Sequence, residues 1–160
     1  MPDLPIRSSV VLRKGHAVII KSLADTDADL PFFVYGTLMR GQCREHAWPC
    51  KPIFIEPAMV QGDLYHLRSF PALISGMDAV VGELWSFHRE DFVETVQRID
   101  GVERYQQGAD DYYERRVVTC LTSKHQELAA YAYFFLRLRD FPNAKRIRPD
   151  KLGRCQWKTL

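Results

Sequence analysis

FFVYGTLMRGQ, residues 32–42, sets an apolar β-type run directly against a glycine, a threonine and then a basic polar stretch. Residues 32–35 read as a strand, and Gly36 stops it. A glycine there permits backbone angles closed to other residues, and consecutive N–H groups turned outward beside it make a concave anion site. Two readings are open: a plain tight turn, or a turn whose Gly36, Thr37 and Leu38 bind a carboxylate.

The rest of the chain supplies the frame for that strand. It has 160 residues and is 46% hydrophobic, which is enough for one domain with a real core. Further strand-like runs lie at 58–67, 80–87, 113–121 and 128–136, and residues 10–22 read as two short strands turned at Lys14-Gly15. Residues 88–99 read as the clearest helix, with Phe92, Val93, Val96 and Ile99 on one face, Glu90 and Asp91 in the first turn and Gly101 just past the end. Mostly strands with one good helix, and no βαβ alternation, predict an α+β fold: a mixed β-barrel or curled sheet with helices outside it. The expected divisions are an N-terminal hairpin and linker over 1–30, a core over 32–136 and a basic arm over 137–160.

Charge and cysteine content exclude several classes. The net charge is only +2, yet residues 137–158 hold eight Lys or Arg against Asp140 and Asp150, leaving 14 basic against 18 acidic residues elsewhere. A nucleic-acid surface is thus confined to the arm, and nucleic acid is not the expected partner. Pro142, Pro149 and Gly153 predict an irregular arm, packed along the barrel through Ile147, Leu152 and Trp157 and bordering the cavity mouth with its basic side chains. Cys43, Cys50, Cys120 and Cys155 show no paired spacing, no signal-type apolar block opens the chain, and no apolar run approaches the ~18 residues of a membrane span. A cytoplasmic protein with reduced thiols is expected. Cys43, His46 and Cys50 lack a close fourth ligand, so no metal is expected, and His66 and His88 have no partner pattern for nucleophilic catalysis.

Two carboxylates compete as a proton-transfer group. Glu103, in RIDGVERY (residues 98–105), follows the helix and has Val102, Tyr105, Tyr112 and Tyr113 for company, which can desolvate an acid and raise its pKa. The alternative for Glu103 is a solvated loop glutamate paired with Arg98 or Arg104. Glu83, sharing a strand face with Val81, Trp85 and Phe87, is either a buried acid or an outward-facing one.

Taken together, Tyr35-Gly36-Thr37-Leu38 with Gly41 downstream, GDLYHLRSFPAL (62–73), VVGELWSF (80–87), RIDGVERY (98–105) and DYYERRVV (111–118) resemble the ordered blocks of the gamma-glutamylcyclotransferase-like family. The resemblance covers about residues 32–136. It implies a small mixed barrel with flanking helices, to which this chain adds an N-terminal hairpin. The implied activity releases 5-oxoproline and a free amine or amino acid from a small γ-glutamyl compound by intramolecular aminolysis, without a cofactor. On the family pattern the α-carboxylate is held by the backbone of Tyr35, Gly36, Thr37 and Leu38, and Glu103 is the catalytic acid/base, preferred over Glu83. Tyr113 is expected to hydrogen-bond the carboxylate or the substrate, and Arg115 to form a structural ion pair. Arg104, where glycine often follows the glutamate, is expected to tilt Glu103 and to lower its pKa. A non-catalytic module of the same fold that binds a small carboxylate or nucleic acid is the alternative.

Overall fold

The computed structural model describes residues 29–158, together with the backbone of two short strands, β1 (Leu12–Arg13) and β2 (His16–Ala17). These two pair antiparallel, Leu12 with Ala17 and Arg13 with His16, as a separate two-stranded sheet. The rest of the expected 10–22 hairpin lies outside the described residues. The remaining strands, β3 (Phe32–Val34), β4 (Phe54–Leu67), β5 (Phe70–Ser86), β6 (Tyr113–Thr122), β7 (Glu127–Phe135), β8 (Lys145–Arg146) and β9 (Arg154–Cys155), form one sheet in the order β8-β4-β6-β7-β3-β5-β9. A further β4–β5 pairing joins the two ends of the run β4-β6-β7-β3-β5 and closes a five-stranded barrel. Closure removes the exposed edges that an open sheet would present. The β3–β7 pair is parallel and its other neighbours antiparallel, so the barrel is mixed, and α1 (Phe92–Val102) lies outside it.

Strand β5 is longer than its sequence suggests. Only 80–87 reads as strand from pattern, because Pro71, Ser75 and Gly76 interrupt the upstream run, yet pairing with β4 continues back to Phe70. The register passes from Gly62↔Asp78 to Asp63↔Ile74, so residues 75–77 bulge out of the ladder and carry the interruption. Residues 68 and 69 make the turn of this hairpin, with Arg68 in the left-handed region at φ 41°.

The helix also differs from its expected bounds. Val93 is 63% exposed, and the buried face consists of Phe92, Thr95 and Ile99, with the Thr95 hydroxyl satisfied by the Asp91 carbonyl at 2.7 Å. Asp100 and Gly101 belong to the last turn rather than to a loop, because the Asp100 side chain is anchored from the barrel. The left-handed residue that ends α1 is Arg104, at φ 54°, three residues beyond Gly101.

The core has a main apolar cluster with a strong aromatic share and a smaller one of Leu67, Ala72 and Phe135. Phe32, Phe33, Leu64, Leu73, Leu84, Ile99 and Tyr131 are fully enclosed. Trp48 stacks on Trp85 with ring centres 5.0 Å apart and meets Phe32 edge to face at 5.5 Å.

The arm packs on the barrel as strand addition to the long hairpin. β8 pairs antiparallel with Tyr65 and His66 of β4, and β9 pairs parallel with Ala79 and Val80 of β5. Trp157 and Cys155 are buried and Ile147 is partly so, but Leu152 is 72% exposed and anchors nothing. No helix among the described residues is long and apolar enough to cross a membrane.

Candidate active site

A cavity of about 370 Å³ opens where β3 ends, and the pieces that meet there come from widely separated parts of the chain. Its walls are the turn after β3 (residues 35–38), the end of α1 (102–104), the β4–β5 hairpin end (Arg68, Phe70, Pro71), the start of β6 (Tyr112, Tyr113) and the end of β7 (Tyr133, Phe135). Phe141 of the arm completes it. Sequence reading thus named six residues that the fold brings to one place: Tyr35, Gly36, Thr37, Leu38, Glu103 and Tyr113.

The turn is held from behind. Met39 N–H donates to the Gly36 carbonyl at 3.0 Å, Arg44 N–H to the Thr37 carbonyl at 2.9 Å, and the Trp48 indole to the Leu38 carbonyl at 3.0 Å. All these bonds use carbonyls. Among the described residues no hydrogen bond uses the N–H groups of Gly36, Thr37 or Leu38 as donors, so three donors remain for a ligand. Gly36 does not have the positive φ expected of it. What the position needs is space, since a Cβ there would lie 2.8 Å from Pro71 Cδ and closer still to Cγ.

Glu103 caps the end of α1, its N–H bonded to the Ile99 carbonyl at 2.9 Å. Its side chain is half-buried and lines the cavity. Desolvation there pushes its carboxyl up to about 7, with the Arg44 guanidinium opposing the rise. The expected lowering by Arg104 is therefore corrected: the cation that acts on Glu103 is Arg44, which sequence reading did not single out. Arg104 does adopt the left-handed backbone angle that glycine takes freely, and α1 delivers Glu103 to the cavity nonetheless.

Tyr113 lines the cavity with its hydroxyl committed to the Pro71 carbonyl at 3.0 Å. The Tyr35 hydroxyl is buried and donates to the Tyr133 carbonyl at 2.6 Å, near enough to Tyr113 and Glu103 for their charges to act on it. Burial holds both phenols well above the ordinary tyrosine range, so both remain protonated donors. Arg115 forms the ion pair expected of it, with Nε and Nη2 on the two Asp100 oxygens at 2.9 and 3.3 Å, and its guanidinium lies over the Tyr131 ring at 4.6 Å.

Glu83 is outside the cavity. Its Oε2 accepts the Arg40 N–H and the Trp85 indole N–H, both at 2.9 Å, and so ties the loop after the turn to β5. His66, on β4, is tied to the arm: its Nδ1 accepts the Trp157 indole N–H at 3.0 Å. Basic side chains reach the cavity from Arg44, Arg68 and Arg104, whereas the arm contributes Phe141, contrary to the expected fringe of arm cations. Among the described residues, no three His, Cys, Asp or Glu side chains gather closely enough to hold a metal ion.

With this geometry in place, three comparisons bear on descent. Among solved structures, an AIG2-like protein from Mus musculus matches with a TM-score of 0.52 at 15% identity, over 82% of this chain and 96% of the other. The uncharacterised protein PH0828 from Pyrococcus horikoshii matches at 0.51 and 20%, over 74% and 85%. A structure titled gamma-glutamyl cyclotransferase matches at 0.51 and 16%, over 78% and 73%. These likenesses establish the fold. No curated protein matches the chain. The family model described as "Gamma-glutamyl cyclotransferase, AIG2-like" matches residues 32–158, from the first residue of β3 through the arm, and to that family the chain belongs.

Proposed function

We propose that the protein is a γ-glutamyl cyclotransferase that converts a γ-glutamyl compound into 5-oxoproline and a free amine or amino acid, with Glu103 as its acid/base. One observation carries this reading: a carboxyl pushed up to about 7 shares a small cavity with three N–H groups that have no partner among the described residues. The backbone of residues 36–38 takes the glutamyl α-carboxylate. That fixes the α-amino nitrogen within reach of the γ-carbonyl carbon of the same molecule. The reaction is then intramolecular, and holding an attack geometry contributes effective molarities of up to roughly 10⁵–10⁸ M.

The Glu103 carboxylate accepts the proton of the α-amino group as its nitrogen attacks the carbon of the γ-carbonyl. The tetrahedral centre collapses with cleavage of the bond to the leaving nitrogen, to which Glu103 returns the proton. One C–N bond forms, one breaks, and no redox change occurs. A carboxyl near 7 is suited to both directions, since it exists in both protonation states at neutral pH. The family supports this type of enzyme. The buried Trp157 disfavours the alternative in which the arm is a nucleic-acid surface with that ring as a stacking platform.

The test is release of 5-oxoproline from a panel of γ-glutamyl amino acids and γ-glutamyl amines, followed by liquid chromatography and mass spectrometry. Release that depends on Glu103 is expected. A folded protein that releases none from the panel overturns the reading.

A further inference from the structure

We propose that the Arg44 guanidinium is a substrate-binding group, which pairs with the α-carboxylate seated on the backbone of residues 36–38 and offsets its charge beside Glu103. The inference rests on the cyclotransferase reading and adds a residue to its site.

Arg44 belongs to the loop that holds the turn from behind. Its N–H donates to the Thr37 carbonyl at 2.9 Å and its own carbonyl accepts the Ala47 N–H at 2.9 Å, so the residue is fixed beside the turn at both ends. It caps the N-terminus of the short 3₁₀ turn Glu45–Ala47, a position that favours Ser, Thr, Asp or Asn, yet its side chain makes no capping bond. Local structure therefore gives no reason for an arginine there, and departures of this kind gather at functional sites.

The side chain reaches the same place. Arg44 lines the cavity with the turn, Glu103 and Tyr113, and its charge acts on the Glu103 carboxyl and the Tyr113 hydroxyl. That hydroxyl sits 3.0 Å from the Pro71 carbonyl, and the Pro71 ring abuts Gly36, so the groups on which Arg44 acts flank the turn. No ion pair or hydrogen bond among the described residues engages its guanidinium, whereas Arg115 and Arg146 elsewhere are paired with Asp100, Asp63 and Asp78. Arg44 is exposed, so its cation stays hydrated at the cavity mouth until a carboxylate meets it.

The chemistry needs such a cation. N–H groups of the turn satisfy the carboxylate oxygens but leave the net negative charge in the cavity. Glu103 has to be ionised to accept a proton, and a second negative charge close by would hold it protonated. The substrate's α-ammonium offsets that charge only until its proton leaves. A guanidinium beside the carboxylate does so throughout, and its planar fork matches the two oxygens.

The probes are 5-oxoproline and 2-pyrrolidone, which differ only in the carboxylate and keep the amine portion of the substrate out of the comparison. Kd is measured by NMR titration, over a range of salt, for the unmutated protein, Arg44→Gln, Arg44→Met and Arg44→Lys. The unmutated protein should bind 5-oxoproline the tighter of the two by roughly tenfold or more. Arg44→Gln and Arg44→Met should weaken 5-oxoproline about tenfold, leave 2-pyrrolidone within about twofold and remove most of the salt dependence. Arg44→Lys, which keeps the charge, should stay within about threefold of the unmutated protein. In turnover of a γ-glutamyl compound, Arg44→Gln should raise KM more than it lowers kcat, and kcat/KM should level off at a higher pH, because the cation that opposes the rise at Glu103 is gone. Equal Kd values for the two probes on the unmutated protein, equal weakening of both by the substitutions, or a lysine variant as weak as the glutamine one overturns the pairing. Arg44-dependent binding of 5-oxoproline without turnover of any γ-glutamyl compound removes the cyclotransferase reading and keeps the pairing, whereas turnover with an unaltered Kd for 5-oxoproline in Arg44→Gln does the reverse. Should the uncharged variants fail to fold, the salt series on the unmutated protein decides, and an affinity for 5-oxoproline that salt leaves unchanged overturns the pairing.

Discussion

Tyr133 fixes Asp100 from across the barrel, its hydroxyl donating to Asp100 Oδ1 at 2.5 Å. The same residue accepts the Tyr35 hydroxyl at its own carbonyl, so one tyrosine of β7 links the last turn of α1 to the strand that leads into the cavity turn. Asp100 lies three residues before Glu103, and Arg115 grips its other side. The network therefore sets where Glu103 stands relative to residues 36–38. Tyr133→Phe is expected to lower stability by about 1.5–3 kcal/mol, the range for a hydrogen bond to a charged group, and to reduce kcat about tenfold with little change in KM. Arg115→Met, which leaves the half-buried Asp100 without its cation, should cost roughly 3 kcal/mol or more. Urea denaturation and steady-state kinetics measure both. A Tyr133→Phe protein with unaltered stability and kcat would show that the network does not position the helix end.

Glu103 makes two linked predictions about pH. Folding raises its pKa from 4.5 to about 7, so the native protein keeps a proton that the unfolded chain releases between those values. The ionisation-linked penalty of burying Glu103 is therefore absent below about pH 4.5 and grows as the pH climbs to about 7, reaching roughly 3 kcal/mol. Glu103→Gln removes that penalty: it should match the unmutated protein in thermal stability at pH 4 and exceed it at pH 8. The same substitution should lower 5-oxoproline release by roughly 10²-fold or more, since it removes the proton acceptor. In the unmutated enzyme kcat/KM should rise with pH and level off above about 7. A flat pH profile, or a Gln variant with full activity, excludes Glu103 as the base. Glu83→Gln provides the comparison, with a smaller kinetic effect, because its carboxylate serves Arg40 and Trp85 outside the cavity.

Gly36 is expected to tolerate no side chain. Alanine there would drive its methyl into the Pro71 ring, whose neighbour Phe70 and whose own carbonyl, bonded to Tyr113, shape the same wall. Overpacking of this kind costs about 1–3 kcal/mol, and relief by displacing the turn would misplace its N–H groups. Gly36→Ala should accordingly raise KM for any γ-glutamyl substrate more than it lowers kcat. An unchanged KM would separate the turn from substrate binding.

The parts of this molecule that were legible in sequence are those with local periodicity or an ordered set of blocks. The strand ending at Gly36 was readable from a short contiguous signal and the barrel class from the succession of strands with one helix, whereas the approach of Glu103 to that turn came from the ordered blocks of the family resemblance. The upstream half of β5 was not, since Pro71 and Gly76 disguise a strand whose irregularity is absorbed by the bulge at residues 75–77. Nor was the end of α1, where Gly101 imitates a stop signal while the Asp100 anchor carries the helix on to Val102. Arg44, Arg68 and Pro71 escaped notice for another reason: they line the cavity only once the fold brings their segments together, and neither composition nor spacing marks them.

The arm provides the last prediction. Its two short strands flank the β4–β5 hairpin on opposite sides, β8 on β4 and β9 on β5, and that hairpin carries Arg68, Phe70 and Pro71 into the cavity wall. Trp157 is the main apolar anchor, 2% exposed, with its indole N–H on His66 Nδ1, and Arg146 adds bridges to Asp63 at 3.0 Å and Asp78 at 3.1 Å. Trp157→Ala should then cost roughly 3–5 kcal/mol, as for other buried aromatic truncations. Trp157→Phe keeps most of the packing and loses only the bond to His66, so about 1 kcal/mol is expected from it. Deleting residues 143–160 removes all these ties at once and frees both edges of the hairpin, so it should lower the melting temperature and raise KM together. A shortened protein that keeps its stability and KM while losing a salt-sensitive affinity for RNA or DNA would instead make the arm a nucleic-acid surface, because phosphate contacts weaken steeply with salt whereas packing of a buried tryptophan does not.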